Sequence, residues 1–309
     1  MSAAMSTREA APMRKLAIIG CGLMGGSLAL ALKRAEMVDE VVGYSRNPQT
    51  RALACELGVI DSAAPGLAQA VHGADLVVLA TPVGALAATM ANMAPYLSRD
   101  AVITDVGSTK SDVVAHAQAH LRDHVKRFVP SHPIAGKEHA GVAHADADLY
   151  ENRKVILTPL PHNALGAIAK VQAMWRVCGA DVIQMSPQEH DTVFAAVSHL
   201  PHLLAFAYIN GLADQTRLDQ YLALAGPGFR DFTRIAGANP DMWRDVYLSN
   251  REAIRGQLDH FKTALARFEQ ALDGQDAAGL MGFVARSRDI RAPWQLNAAI
   301  PRKDDLTQQ

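Results

Sequence analysis

Three glycines, Gly20, Gly22 and Gly25, sit in the run Gly20-Cys21-Gly22-Leu23-Met24-Gly25. The apolar segment Leu16-Ala17-Ile18-Ile19 precedes them directly, and a helical pattern follows through Lys33. Few local patterns restrict a fold as much. A strand that turns into a helix over so few residues is the opening of a parallel sheet with crossover helices. Glycines spaced G-x-G-x-x-G at that turn let the backbone approach a pyrophosphate, which the helix N-terminus then stabilises. The context, strand before and helix after, favours a dinucleotide site over a glycine-rich turn without a ligand.

The rest of the N-terminal half keeps the same rhythm. Glu40–Tyr44 reads as the second strand, and further strands are expected at Leu76–Ala80, Ala101–Asp105, Arg127–Pro130, Lys154–Leu157 and Asp181–Met185, with helices between most of them. This alternation predicts an α/β fold with a Rossmann-type, doubly wound and mostly parallel sheet. At Ser186 the rhythm changes. Ser186-Pro187-Gln188-Glu189 places an N-cap serine before a first-turn proline, with a glutamate three residues after the cap, which is a capping box. From there to about Trp294 no strand is expected and helical patterns such as Asp241–Leu272 dominate, so the second domain reads as all-α. The expected divisions are a flexible N-terminus over 1–14, a dinucleotide-binding domain over 15–185, a helical substrate and dimerisation domain over 186–296, and a polar tail over 297–309. Pro201 is expected to kink the helix that it interrupts.

Composition removes several classes. Thirty basic residues balance 31 acidic ones, so no bulk positive charge points to nucleic acid. Cys21, Cys55 and Cys178 are odd in number and far apart, unlike a disulfide framework or a zinc site, which favours a reducing cytoplasm. Arg8, Glu9 and Arg14 leave no apolar signal-peptide core at the start. Leu76 to Met93 is uncharged, but Thr81-Pro82 and Gly84 break it, so it reads as strand and helix and not as a membrane span. His116, His120 and His124 recur every four residues on an expected helix face. With Gln118, Arg122 and Asp123 beside them they read as a solvated face, and no metal is expected.

At the end of the second strand, an NAD site places an acid that accepts from the ribose 2′-hydroxyl. Here that place holds Tyr44-Ser45-Arg46-Asn47. An arginine pairs with a 2′-phosphate, so NADP is favoured and NAD remains possible. The candidate cofactor contacts are Gly20, Gly22, Leu23, Met24, Gly25, Ser45, Arg46, Thr81 and Ser108.

Four further segments carry candidate chemistry. They are Asp105-Val106-Gly107-Ser108-Thr109-Lys110, Ser131-His132-Pro133-Ile134-Ala135-Gly136-Lys137-Glu138, Ser198-His199-Leu200-Pro201-His202, and Gly228 to Ala236 (containing Arg230, Asp231 and Arg234) with Trp243 beyond. Pro133 restricts His132 to extended backbone, which sets the imidazole direction locally. Together with the glycine loop, these segments resemble the prephenate/arogenate dehydrogenase family of tyrosine biosynthesis, from about Lys15 to Trp243.

The resemblance implies oxidative decarboxylation of a cyclohexadienol, either prephenate or arogenate. A hydride leaves C4 for the nicotinamide, the hydroxyl loses its proton, and the ring carboxylate departs as CO2 while the ring becomes aromatic. By the same resemblance His132 is the general base, and Ser108 bridges the hydroxyl and the nicotinamide. Arg234 binds a substrate carboxylate, His202 adds a polar contact, and Glu138 and Trp243 line the pocket. It also implies a homodimer joined through the helical domain. Arg230 and Asp231 are expected either to form ion pairs across the cleft or between subunits or to be an ordinary surface pair; read without the resemblance, Ser108 is a helix N-cap and His199 and His202 are core or capping histidines. Lys137 carries a charge that would favour prephenate over the ammonium-bearing arogenate, or else faces solvent.

No appended regulatory module is expected after Trp294. A β-hydroxyacid dehydrogenase is disfavoured because its chemistry uses a lysine from the helical half, and none occurs between Lys170 and Lys262. A non-catalytic nucleotide-binding protein of the same fold is the remaining alternative, against which the full set Ser108, His132, His202 and Arg234 argues.

Overall fold

The structure, a computed structural model, describes residues 12–137 and 139–296. The proposed polar tail, most of the expected 1–14 segment and Glu138 lie outside the described residues. Six strands form one parallel sheet: β1 (Met13–Ile19), β2 (Val38–Tyr44), β3 (Ser62–Ala63), β4 (Leu76–Leu79), β5 (Val102–Asp105) and β6 (Phe128–Val129). Their order is β3-β2-β1-β4-β5-β6, so both β2 and β4 pair with β1 and the winding reverses there. In open α/β sheets a ligand crevice lies outside the strand carboxyl ends at such a reversal. The glycine run follows β1 at that point.

The helices of this half are α1 (Leu23–Arg34), α2 (Pro48–Glu56), α3 (Leu67–Val71), α4 (Leu86–Met93) and α5 (Ser111–His120). Successive side chains of β1 point to opposite faces, as a strand requires. Leu16 and Ile18 join one core with Leu28 and Leu32 of α1, while Ala17 and Ile19 join a second with Leu86 and Met90 of α4 and Val113 of α5. Burial on both faces explains why these strands read as continuous apolar runs. Each fully buried leucine or isoleucine contributes about 1.5–3 kcal/mol.

Pro130, which has no N–H, separates β6 from β7 (Ser131–Pro133), and the chain passes into a second sheet. With β8 (Lys154–Leu157), α6 (Leu165–Val177) and β9 (Asp181–Gln184), the strand order there is β7-β8-β9. β7 runs antiparallel to β8, and β8 parallel to β9. The expected strands at Lys154–Leu157 and Asp181–Met185 thus form this separate small sheet and do not extend the main one. The edge position of β7 is where a sheet accepts Pro133.

The helical remainder comprises α7 (Pro187–Phe194), α8 (Leu200–Ala213), α9 (Leu218–Ala223), α10 (Pro227–Thr233), α11 (Pro240–Ser249), α12 (Arg251–Asp273) and α13 (Ala277–Arg291). The capping box is formed, with the Ser186 hydroxyl accepting from the Glu189 N–H at 3.1 Å. The irregularity expected at Pro201 takes the form of a π segment, Ala195–His199, joining α7 to α8. Pro201 lies in the first turn of α8, and its missing N–H is accommodated by the wider turn before it. The single long helix expected over Asp241–Leu272 is two, α11 and α12, broken at Asn250, whose side chain is drawn into the core. By compactness the chain divides at Ile254 and Arg255, within α12, into units Met1–Ile254 and Arg255–Gln309, whereas residue 186 marks the change in secondary structure. In the second unit, Phe268 and Phe283 meet edge to face at 5.2 Å between ring centroids.

One buried ion pair ties the two sheets together. Asp105 closes β5, and its carboxylate accepts from the Gly107 N–H at 2.8 Å, the Ser131 N–H at 3.1 Å and the Lys110 ammonium. Lys110 Nζ also donates to the Ser131 carbonyl at 2.8 Å, and both charged side chains are wholly inaccessible. Burial pushes the Asp105 carboxyl up, and the ammonium and the two N–H groups oppose it. Lys110→Ala strands a carboxylate in the interior. It is expected to lower the unfolding free energy by about 3–5 kcal/mol in urea denaturation. A loss under about 1 kcal/mol would mean that water reaches Asp105.

Candidate active site

The glycine loop has the geometry its spacing implies. Gly20 has φ of +110°, and a Cβ there would lie 2.4 Å from the Ala80 carbonyl oxygen, so the turn presses against the end of β4. A Cβ on Gly25 would lie 2.4 Å from the Gly20 oxygen, which keeps α1 close to the turn. Gly22 caps α1 with no side-chain bond, and a Cβ there would meet nothing within 4 Å. The first N–H groups of α1 are therefore uncapped beside open space, the arrangement that suits a phosphate. Of the other expected contacts, Leu23 is buried, and the Met24 carbonyl is already engaged, accepting from the Tyr150 hydroxyl at 2.6 Å. At the neighbouring strand end Thr81 Oγ1 is buried without a partner, an acceptor and donor left for a bound group. These residues fit a nicotinamide dinucleotide.

At the end of β2, Arg46 is exposed and makes no ion pair among the described residues. Asn47 caps α2 by accepting from the Gln49 N–H at 2.8 Å. A second cation, overlooked in the sequence, stands beside it. The Arg51 guanidinium donates to the Ser45 carbonyl and lies 5.6 Å from the centroid of the Tyr44 ring. Its position five residues after Arg46, in the first turns of α2, was the available sign.

Ser108 lies in the loop between β5 and α5, half-buried, and does not cap the helix: the N-cap is Lys110, without a side-chain bond. The cap comes from another element. Asp191 of α7 accepts from the Lys110 N–H through Oδ1 and from the Ser111 N–H through Oδ2, both at 2.8 Å. Its carboxylate at the helix N-terminus is also favoured by the dipole.

His132, on β7, is half-buried and joined to α7 by a bond of 2.8 Å between its Nδ1 and His190 Nε2. Behind it, His190 Nδ1 meets Asp191 Oδ1 at 2.8 Å. Phe194 packs on both imidazoles, with ring centroids at 4.8 and 4.5 Å. Burial pushes the His132 pKa well below its ordinary value, and His190, Lys110 and His199 push the same way. Burial also lowers that of His190, against the pull of Asp191. Both rings are thus neutral near pH 7. Burial works to raise Asp191, but bonds from His190, Ser111 and Lys110 keep it below the usual carboxylate range.

The helical elements add the other side. His199 is buried, held by Asn250 Nδ2 at 3.1 Å from its Nδ1, and burial lowers its pKa to about 4. It is a core histidine, as the plain reading of the motif had it. His202 Nδ1 donates to the Ser198 carbonyl at 2.9 Å, and its ring stacks on Trp243 with centroids 3.9 Å apart. Burial lowers its pKa, the Ser198 carbonyl opposes this, and nearby Arg234 adds to it, so its Nε2 is an acceptor near pH 7. Arg234 opens a 3-10 turn, exposed and without an ion pair among the described residues. Trp243 is buried with Nε1 unpartnered. His132 and His190 form one contact pair, His199 and His202 both pack on Trp243, and Arg234 acts electrostatically on His202; all six lie in the first compact unit.

Other expectations resolve differently. Lys137 pairs with Asp146 at 2.8 Å, so its charge is already engaged and gives no ground for choosing prephenate. Arg230 pairs with its neighbour Asp231 at 3.2 Å on the surface and not across a cleft. Glu138 lies outside the described residues. The histidine series is not one helical face: α5 ends at His120, Arg122 has φ of +51°, and His124 falls in a 3-10 turn. Among the described residues no three His, Cys, Asp or Glu side chains gather as a metal site. His190, Asp191 and Asn250 were missed as site residues; their only sequence sign was polar side chains at inward-facing helical positions.

Comparison with known proteins shows relatives along nearly the whole chain. Residues 28–184 match the family model for the prephenate dehydrogenase nucleotide-binding domain, and residues 186–285 that for the prephenate dehydrogenase dimerization domain. The chain is 38% identical to cyclohexadienyl dehydrogenase of Zymomonas mobilis over 90% of its own length and 95% of that protein's. It is 34% identical to prephenate dehydrogenase of Bacillus subtilis, covering 94% and 79% respectively. Its fold superposes on prephenate dehydrogenase from Aquifex aeolicus, solved in complex with hydroxyphenyl propionate and NAD+, with a TM-score of 0.85 and 35% identity across 91% of this chain and 98% of that one. A glycine turn after β1, a neutral histidine on β7 and relatedness along nearly the whole length lead to one conclusion: the chain belongs to the prephenate dehydrogenase family.

Proposed function

We propose that this protein oxidises prephenate to 4-hydroxyphenylpyruvate with loss of CO2. The observation that carries the reading is His132: a neutral imidazole on β7, directly after the Ser131 held by Asp105 at the end of β5, with Nδ1 engaged by His190 and Nε2 making no hydrogen bond among the described residues. A base in that state accepts a hydroxyl proton near pH 7. NAD(P)+, when bound, supplies the acceptor for the hydride leaving C4. The chain's own groups do the rest. His132 Nε2 takes the C4 hydroxyl proton, and Ser108, whose hydroxyl makes no hydrogen bond among the described residues, holds that hydroxyl in register. The free guanidinium of Arg234 and the acceptor nitrogen of His202 face the substrate's polar groups, with the Trp243 ring as an apolar wall. The hydroxyphenyl propionate bound by the Aquifex aeolicus relative, a phenol with a carboxylate side chain, supports a site of this kind. Arogenate, differing only in its side chain, is the second substrate to test.

NADP is the favoured cofactor. No carboxylate stands at the end of β2, and Arg46 with Arg51 places two guanidinium groups there. Three free cysteines fit a reducing compartment, and we place the protein in the cytoplasm. A homodimer through the helical elements is supported by the dimerization-domain match and by exposed apolar side chains such as Val197, Leu272, Met281 and Val284. The run Pro187–Ala213 is long and apolar enough to cross a membrane by length and composition, and 22% of its most apolar stretch is buried. Yet it carries His190 and Asp191 in its first turns and His199 and His202 in its middle, an arrangement costly in lipid and suited to a protein interior.

Steady-state kinetics with both substrates and both cofactors test the reading. His132→Asn is expected to lower kcat by roughly 10²–10⁴-fold with cofactor affinity nearly intact, and near-normal turnover would remove His132 from the chemistry. Arg234→Ala is expected to raise KM for prephenate chiefly; an unchanged KM would move the carboxylate contact elsewhere. Arg46→Ala is expected to weaken NADP binding far more than NAD binding in titrations. Equal losses would sink the 2′-phosphate assignment.

A further inference from the structure

We propose that His190 and Asp191 are positioning residues that hold His132 as its Nδ1–H tautomer, leaving Nε2 as the bare nitrogen offered to the substrate hydroxyl. This rests on the reading of His132 as the base. The assignment follows by elimination along one hydrogen-bonded chain. Asp191 is ionised and only accepts: Oδ1 takes the Lys110 N–H and Oδ2 the Ser111 N–H. His190 Nδ1, 2.8 Å from Oδ1, must therefore carry its proton. A neutral imidazole has one N–H, so His190 Nε2 is a lone pair. His132 Nδ1, 2.8 Å from that lone pair, must donate. The single proton of neutral His132 is then on Nδ1, and Nε2 is bare.

The same chain serves the proton transfer. As the substrate O–H bond breaks and the Nε2–H bond forms, His132 becomes an imidazolium. Its Nδ1–H already points at His190 Nε2, and the Asp191 carboxylate lies behind, so the new positive charge develops along a line ending in an anion. The logic is that of a carboxylate orienting a catalytic histidine, with a second imidazole between them. Among the described residues the groups facing His132 are His190 and Phe194 of α7, His199 of the π segment and Lys110 of the loop after β5; of the negative charges, Asp191 bonds directly to His190 and Asp105 acts on it from a greater distance. Asn250 Nδ2 donates to the Asp191 carbonyl at 2.8 Å and fixes that residue from the α11–α12 break.

The test is long-range 1H–15N correlation of the histidines in full-length protein saturated with NAD+, with His132→Asn used for assignment. In the unaltered protein a pyridine-type Nε2 and a pyrrole-type Nδ1 are expected for His132; the reverse overturns the proposal, and this reading needs no variant at His190. His190→Leu removes the acceptor. It is expected to shift His132 toward the Nε2–H form and to lower kcat about 10²-fold, with KM for prephenate within about twofold. His190→Gln, whose carbonyl still accepts from Nδ1–H, is expected to keep the tautomer and recover most of that loss. An unchanged tautomer and kcat in His190→Leu would also overturn the proposal. Full activity in His132→Asn would instead overturn the base assignment, whereas the tautomer of the unaltered protein reports on the positioning alone.

Discussion

The Asp105–Lys110 pair is the constraint on which the site is assembled. It sits where β5 ends, and its two side chains hold the following loop through the Gly107 N–H and the start of the second sheet through both backbone groups of Ser131. Ser108 lies inside that loop and His132 directly follows Ser131. A buried ion pair contributes little net stability, because desolvation offsets most of the attraction. Its effect here is positional. The end of β5 is tied to the start of β7 in the second sheet, and with them the loop that carries Ser108 and the strand that carries His132.

The second fixed point is Asp191, which belongs to the helical part yet caps α5 of the nucleotide-binding part. A helix N-terminus needs acceptors, and in this chain neither Lys110 nor Ser108 supplies one. The carboxylate that does so also holds His190, so α5 cannot shift against α7 without disturbing the imidazole behind His132. The π segment after α7 belongs to the same arrangement. Its wider turn, ahead of Pro201, brings His199 inward to Asn250 while His202 lies against Trp243.

Features set by neighbours in the chain were legible in the sequence. The glycine loop, the parallel strands before and after it, and the Ser186 capping box follow from backbone sterics and hydrogen bonding within a few residues. His132 stood out for the same reason, since Pro133 restricts it directly. The fold class was legible too, because strand–helix alternation and apolar periodicity are local. Boundaries set by distant contacts were not. Asp241–Leu272 kept a helical pattern throughout, and only the pull of Asp191 and His199 on the Asn250 side chain accounts for the break. Lys137 read as a possible specificity charge until Asp146, nine residues on, was found beside it.

By itself the sequence determined the sheet class, the dinucleotide crevice, the helical second half and a base candidate held in extended backbone. The order of information explains this, since each rests on residue spacings of a few positions. Tertiary structure alone decided which nitrogen of that histidine is bare. His190 and Asp191 lie 58 and 59 positions away from His132 in the chain. Such a pairing leaves no periodic trace, because nothing between the partners has to repeat for folding to bring them together.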